Sequence, residues 1–202
     1  MNHIEEALRQ IAEDLQKLGR PWALIGGLAV GARAEPRTTR DVDLAVAVAD
    51  DKDAESLIFR LQTLGYEVLM VLEQEAAGRL ATVRLRPPSA GEGGVIVDLL
   101  FASSGIEPEI AKAAEALDIL SGLRVPVARI GHLVALKILA RDDRQRPQDF
   151  DDIRALLLEA EPQDLEDARI ALRLIEARGY QRGRVLLEEL DRMVESKNPK
   201  GG

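Results

Sequence analysis

Residues 22–48 read WALIGGLAVGARAEPRTTRDVDLAVAV, and the fold turns on how this stretch is parsed. Trp22–Ile25 is a short apolar run halted by Gly26-Gly27, which reads as a buried strand. Leu28–Ala34 has helical character and stops before Pro36, because the residue ahead of a proline is pushed out of the α region. Val42–Val48 reads as a second strand, with Asp41 and Asp43 at its start. Side chains two apart on a strand share a face. Two carboxylates on one face repel each other unless a cation sits between them. The pair therefore predicts a bound divalent ion.

A third carboxylate lies in Val95–Phe101, VIVDLLF. This strand is apolar on both faces, as a central strand is. An Asp at its middle, Asp98, is costly unless it is paired or bound to metal. If the two strands are neighbours, three carboxylates converge, a ligand set for two divalent ions that activate an attacking oxygen and neutralise a transferring phosphoryl group. Upstream, Gly26-Gly27 lets a phosphate approach the backbone, and the following helix start supplies amide donors. Gly31 adds a faint likeness to a dinucleotide fingerprint, but the spacing is not G-x-G-x-x-G, so a Rossmann fold is excluded. Arg37, Thr39 and Arg40 immediately precede Asp41 and are suited to holding a triphosphate.

Working outward, Ile4, Leu8, Ile11, Leu15 and Leu18 form one apolar stripe on a helix over residues 3–18, closed by Gly19. Residues 52–64 predict an amphipathic helix, and 66–72 and 79–86 two more strands. A Pro/Gly-rich linker, Pro87 to Gly94, leads into the Asp98 strand. A short helix over 106–114 and a hairpin of 117–120 with 123–127 complete the front half. Four helices follow, at 130–141, 148–160, 163–178 and 182–196. The expected organisation is an α+β core over 1–127, a helical region over 128–196, and a disordered polar tail over 197–202.

The first of those helices reads IGHLVALKILA and is apolar nearly all round, yet Lys137 sits in its middle. Either the lysine stem snorkels to the surface, or its ammonium points into the site and meets an anion. Arg141 and Arg144 extend its face. Asp149, Asp151 and Asp152 open the next helix, where acids favour the helix dipole; orienting Lys137 or Arg141 is their second possible role. His132 reads as structural.

Composition narrows the chemistry. The 202 residues contain no Cys and two His, so thiol chemistry and multi-histidine zinc sites are excluded. Any metal rests mainly on oxygen ligands, which points to Mg²⁺, Mn²⁺ or Ca²⁺. No apolar run approaches a membrane span. Glu5 and Glu6 stand where a signal peptide carries positive charge, so a cytoplasmic location is expected. The net charge of −8 excludes a uniformly basic nucleic-acid binder. It is unevenly spread: 20–40, 76–86 and 121–154 are each net positive, which leaves room for a local phosphate site.

Gly26-Gly27, thirteen residues and then Asp41-x-Asp43, with Asp98 on a later strand, resembles the nucleotidyltransferase superfamily typified by DNA polymerase β. Arg37-x-Thr39-x-Asp41-Val42-Asp43 is similar to the form common in its small bacterial members. Lys137-Ile138-Leu139-Ala140 followed by Asp149-x-x-Asp152-Ile153 resembles the AbiEii/AbiGii toxin-like branch. The resemblance implies a mixed sheet with flanking helices, and Asp41, Asp43 and Asp98 holding two Mg²⁺. It implies Gly26 and Gly27 on the triphosphate and Lys137 on phosphate. The reaction would move a nucleoside monophosphate from an NTP such as ATP to an acceptor hydroxyl, with release of pyrophosphate. In that branch the acceptor is often RNA, notably tRNA, and an antitoxin restrains the enzyme. Two alternatives stand beside this: an inactive nucleotide- or antitoxin-binding module, and an adenylyltransferase of aminoglycoside-like small molecules.

Overall fold

A computed structural model describes residues 3–36, 38–74, 77–90, 94–120, 122–142 and 147–197. Arg37, Arg144 and the 198–202 part of the expected tail lie outside the described residues. Seven strands form one mixed sheet in the order β3-β4-β5-β2-β1-β7-β6. They are β1 (Trp22–Ile25), β2 (Asp41–Val46), β3 (Glu67–Gln74), β4 (Arg79–Arg86), β5 (Ile96–Leu100), β6 (Glu115–Leu120) and β7 (Leu123–Val127).

The helices are α1 (His3–Lys17), α2 (Gly26–Arg33), α3 (Asp51–Thr63), α4 (Glu107–Ala113), α5 (Ile130–Ala140), α6 (Pro147–Glu159), α7 (Pro162–Ala177) and α8 (Leu186–Lys197). The stripe on α1 is buried at Leu8, Ile11 and Leu15. Asp14 joins it below water because the Tyr66 hydroxyl donates to it at 3.0 Å. Asp50 caps α3 by accepting from the Asp53 amide at 2.9 Å.

Most element boundaries lie within a residue or two of the sequence reading, and two of the shifts bear on the site. Helix α2 begins at Gly26 rather than Leu28, so the glycine pair is its first turn and not a loop ahead of it. Helix α8 begins at Leu186 rather than 182, because Arg182 and Gly183 both have positive φ, at 54° and 72°, and end any helical path there.

β5 is central, as its two-sided apolarity requires: it pairs parallel with β2 and antiparallel with β4. Val42, Leu44, Val97 and Leu99 are fully buried on these two strands. One continuous core runs from α1 through the sheet to α8. Helix α5 is buried on most sides and lies tightly on α7: a Cβ on Gly131 would stand 2.5 Å from the Asp164 carbonyl.

Candidate active site

The strand register builds the site. Ile25 of β1 faces Asp43 of β2, Asp43 faces Asp98 of β5, and Asp98 faces Arg84 of β4. Asp41 lies on the face of Asp43, two residues earlier, while Val42 and Leu44 point into the core. The acids come from two distant stretches of the chain, and Asp43 and Asp98 stand side by side because β2 and β5 are parallel neighbours.

Gly26 joins this row at the end of β1. Its φ of +64 is a left-handed conformation, and a Cβ there would meet the Asp43 Oδ2 at 2.0 Å. The backbone thus passes directly against the carboxylate, and only glycine permits both the turn and the approach. No side chain caps α2, and its first turn holds no acid. Its first amides therefore lack intrahelical partners at a wall of the cleft, the arrangement that receives anions. Substituting Gly26→Ala should shift the Asp43 carboxylate and cost about 1–2 kcal/mol of stability from the left-handed backbone. Thermal denaturation and a nucleotidyl-transfer assay should show both losses together.

These residues line a cleft of about 660 Å³. Gly26, Gly27, Thr39, Asp41, Asp43, Asp98 and Lys137 all reach it. Of the sequence-predicted site residues, only Arg37 falls outside the described residues. His132 is not among the lining side chains; burial lowers its pKa from the ordinary 6.5.

Asp98 is 7% exposed, and Arg84 holds both its oxygens, Nε to Oδ1 at 2.9 Å and Nη2 to Oδ2 at 2.7 Å. This fork-to-fork pair raises the Arg84 pKa, with Asp41 and Asp43 adding to the effect. Arg84 was not singled out from the sequence. Its signal was the alternation of Thr82, Arg84 and Arg86 with Val83 and Leu85 on β4, which exposes one polar face.

Lys137 takes the second of its two possible routes: it is buried and its ammonium meets anions inside the protein. Nζ lies 2.7 Å from Asp149 Oδ1 and 2.7 Å from Asp152 Oδ2. Asp149 and Asp152 are therefore more than first-turn acids favouring a dipole. They are three apart on α6, share its face, and are 2% and 3% exposed.

All candidate cation ligands are carboxylates, a donor set for Mg²⁺ or Mn²⁺. Among the described residues no group of three or more His, Asp or Glu is arranged to hold a metal ion. Asp41 and Asp43 fit a cation that takes its remaining ligands from substrate phosphates, as Mg²⁺ commonly does. Asp98 is engaged by Arg84 as the chain stands. No described helix is long and apolar enough to cross a membrane.

The fold is similar to that of an antigenic nucleotidyltransferase-like protein from Paracoccidioides brasiliensis, at 21% identity and TM-score 0.53, over 96% of this chain and 93% of that one. It is also similar to the antibiotic-resistance factor ANT(2″)-Ia, at 17% identity and TM-score 0.57, over 88% of this chain and 95% of that one. No curated protein matches the sequence. The family model described as nucleotidyl transferase AbiEii toxin, type IV toxin–antitoxin system, matches residues 7–200. With its glycine turn, paired aspartates and buried lysine on one cleft, the chain belongs to the AbiEii nucleotidyltransferase family.

Proposed function

We propose that this protein transfers a nucleoside monophosphate from an NTP to a hydroxyl on an RNA acceptor, tRNA being the foremost candidate, and that an antitoxin restrains it. The observation that carries the reading is the row Gly26–Asp43–Asp98–Arg84 across four adjacent elements on one cleft wall. The acceptor oxygen forms a bond to the α-phosphorus, the bond to pyrophosphate breaks, and the hydroxyl proton passes to a cleft carboxylate. A divalent cation held by Asp41 and Asp43, when bound, offsets the charge that develops on the phosphoryl oxygens. The residues of the chain do the positioning. The α2 amides and Thr39 receive the triphosphate. Arg84 holds both oxygens of Asp98 and so fixes its carboxylate beside Asp43. Lys137, fixed between two carboxylates, presents a cation in a defined place.

The cleft carries both signs of charge, so the acceptor is decided by assay and not by charge. Among the described lining residues the acids are Asp41, Asp43 and Asp98, while the cations are Arg40, Arg84, Lys137 and Arg182. Lys137 is itself matched by Asp149 and Asp152, so the lining is not net basic. The test is incubation with each labelled NTP, Mg²⁺ or Mn²⁺, and either total tRNA or a panel of aminoglycosides. Label on RNA alone is expected. Label on the antibiotics alone overturns the acceptor assignment, and tight NTP binding with no transfer to anything overturns the reaction.

A further inference from the structure

The loop between α7 and α8 belongs to a region with no recognisable motif, yet it reaches the cleft. Arg182 lines the same cavity as Asp41, Asp43 and Lys137. It is also the one non-glycine with positive φ among the described residues, at 54°. Glycines flank it at 179 and 183, with φ of 82° and 72°. An arginine in the left-handed region carries a steric cost that a glycine does not. Such strain persists where the surroundings over-determine it, and it concentrates at functional positions.

The surroundings here do so from both sides of the cleft. Arg178 donates to Glu109 Oε1 at 2.6 Å and to the Gly105 carbonyl. The Tyr180 ring covers Gly105 so closely that a Cβ there would stand 2.7 Å from it. These contacts clamp the loop onto the bend that follows the Asp98 strand. Arg184 donates to the carbonyls of Leu139 and Arg141 at 3.0 and 3.2 Å, at the end of the helix that carries Lys137. Arg182 sits between the two clamps and donates to the Ser103 carbonyl at 3.3 Å.

We infer that Arg182 contacts phosphate oxygens of the substrate, using the planar fork that suits arginine to phosphate. This rests on the nucleotidyl-transfer reading above. The phosphate is that of the NTP or that of the RNA end, and the two are separated by experiment.

The test compares the full chain with Arg182→Gly and Arg182→Asn, both of which tolerate the left-handed backbone. KM is measured for the NTP at saturating RNA and for RNA at saturating NTP, because KM does not depend on the folded fraction. A rise of threefold or more in KM for the NTP assigns Arg182 to the nucleotide, and the same rise for RNA assigns it to the acceptor. A smaller change in both overturns the inference. Thermal midpoints of both variants at or above that of the wild type are the accompanying expectation, since backbone strain is relieved. If the wild type transfers nothing, the nucleotidyl-transfer reading fails on its own. Arg182 is then judged by equilibrium titration with labelled NTP and labelled tRNA, where equal affinities for wild type and Arg182→Gly overturn it.

Discussion

Lys137→Ala should destabilise the protein by about 3–5 kcal/mol, the cost of stripping a buried charge of its partner. The ammonium lies between Asp149 and Asp152, and all three are less than 10% exposed. Removing it takes away a cation that stands 2.7 Å from both buried carboxylates. The loss is a large fraction of the 5–15 kcal/mol that holds a typical domain. The asymmetry of the cluster makes the prediction sharper. One ammonium touches two carboxylates, so Asp149→Asn keeps the Lys137–Asp152 contact and should cost far less. Urea unfolding of the two variants measures this directly. Equal losses would show that the ammonium is not the common counter-ion. Any fall in activity of Lys137→Ala has to be read against its folded fraction, whereas Asp149→Asn reports on lysine placement in a folded protein.

Asp43→Asn should lower nucleotidyl transfer by at least about 100-fold, because several kcal/mol of charge stabilisation depends on the cation it is proposed to hold. Asp43 has site residues on three sides: the Gly26 backbone passes against its Oδ2, Asp41 shares its face, and Asp98 lies opposite it in register. Asparagine keeps the shape and removes the charge. The fold should therefore persist while the divalent-ion dependence of transfer is lost. A variant with near-normal transfer at ordinary Mg²⁺ concentrations would remove Asp43 from the proposed ligand set. Steady-state transfer across a Mg²⁺ titration, with circular dichroism of the same sample, gives both readouts.

Much of this site was legible in the chain itself. The spacing of Asp41 and Asp43 put two acids on one strand face, and the apolarity of Val95–Phe101 marked Asp98 as interior. Period-2 and period-3.6 patterns are local, so they survive in the sequence. What was hidden was pairing. Nothing near Arg84 reveals that it lies opposite Asp98, because that contact depends on β4 and β5 being antiparallel neighbours. The same holds for Lys137. Its helix showed that it was anomalous, but its partners lie on the next helix, and first-turn acids are explained equally well by the helix dipole. Arg182 was the least visible. It lies in a stretch that the periodicity assigned to the last helix, and only the backbone dihedrals show a turn there.

The clamps on the loop between α7 and α8 also bear on when the protein becomes chemically competent. The acids come from β2 and β5, the buried ammonium from α5, and the far-wall arginine from just before α8. A chain emerging from a ribosome holds Asp41 and Asp43 early, but lacks Lys137 and its two counter-ions until well past the sheet. It lacks the loop that grips both cleft walls until later still. A cleft assembled in this order is complete only once the last described helices have docked.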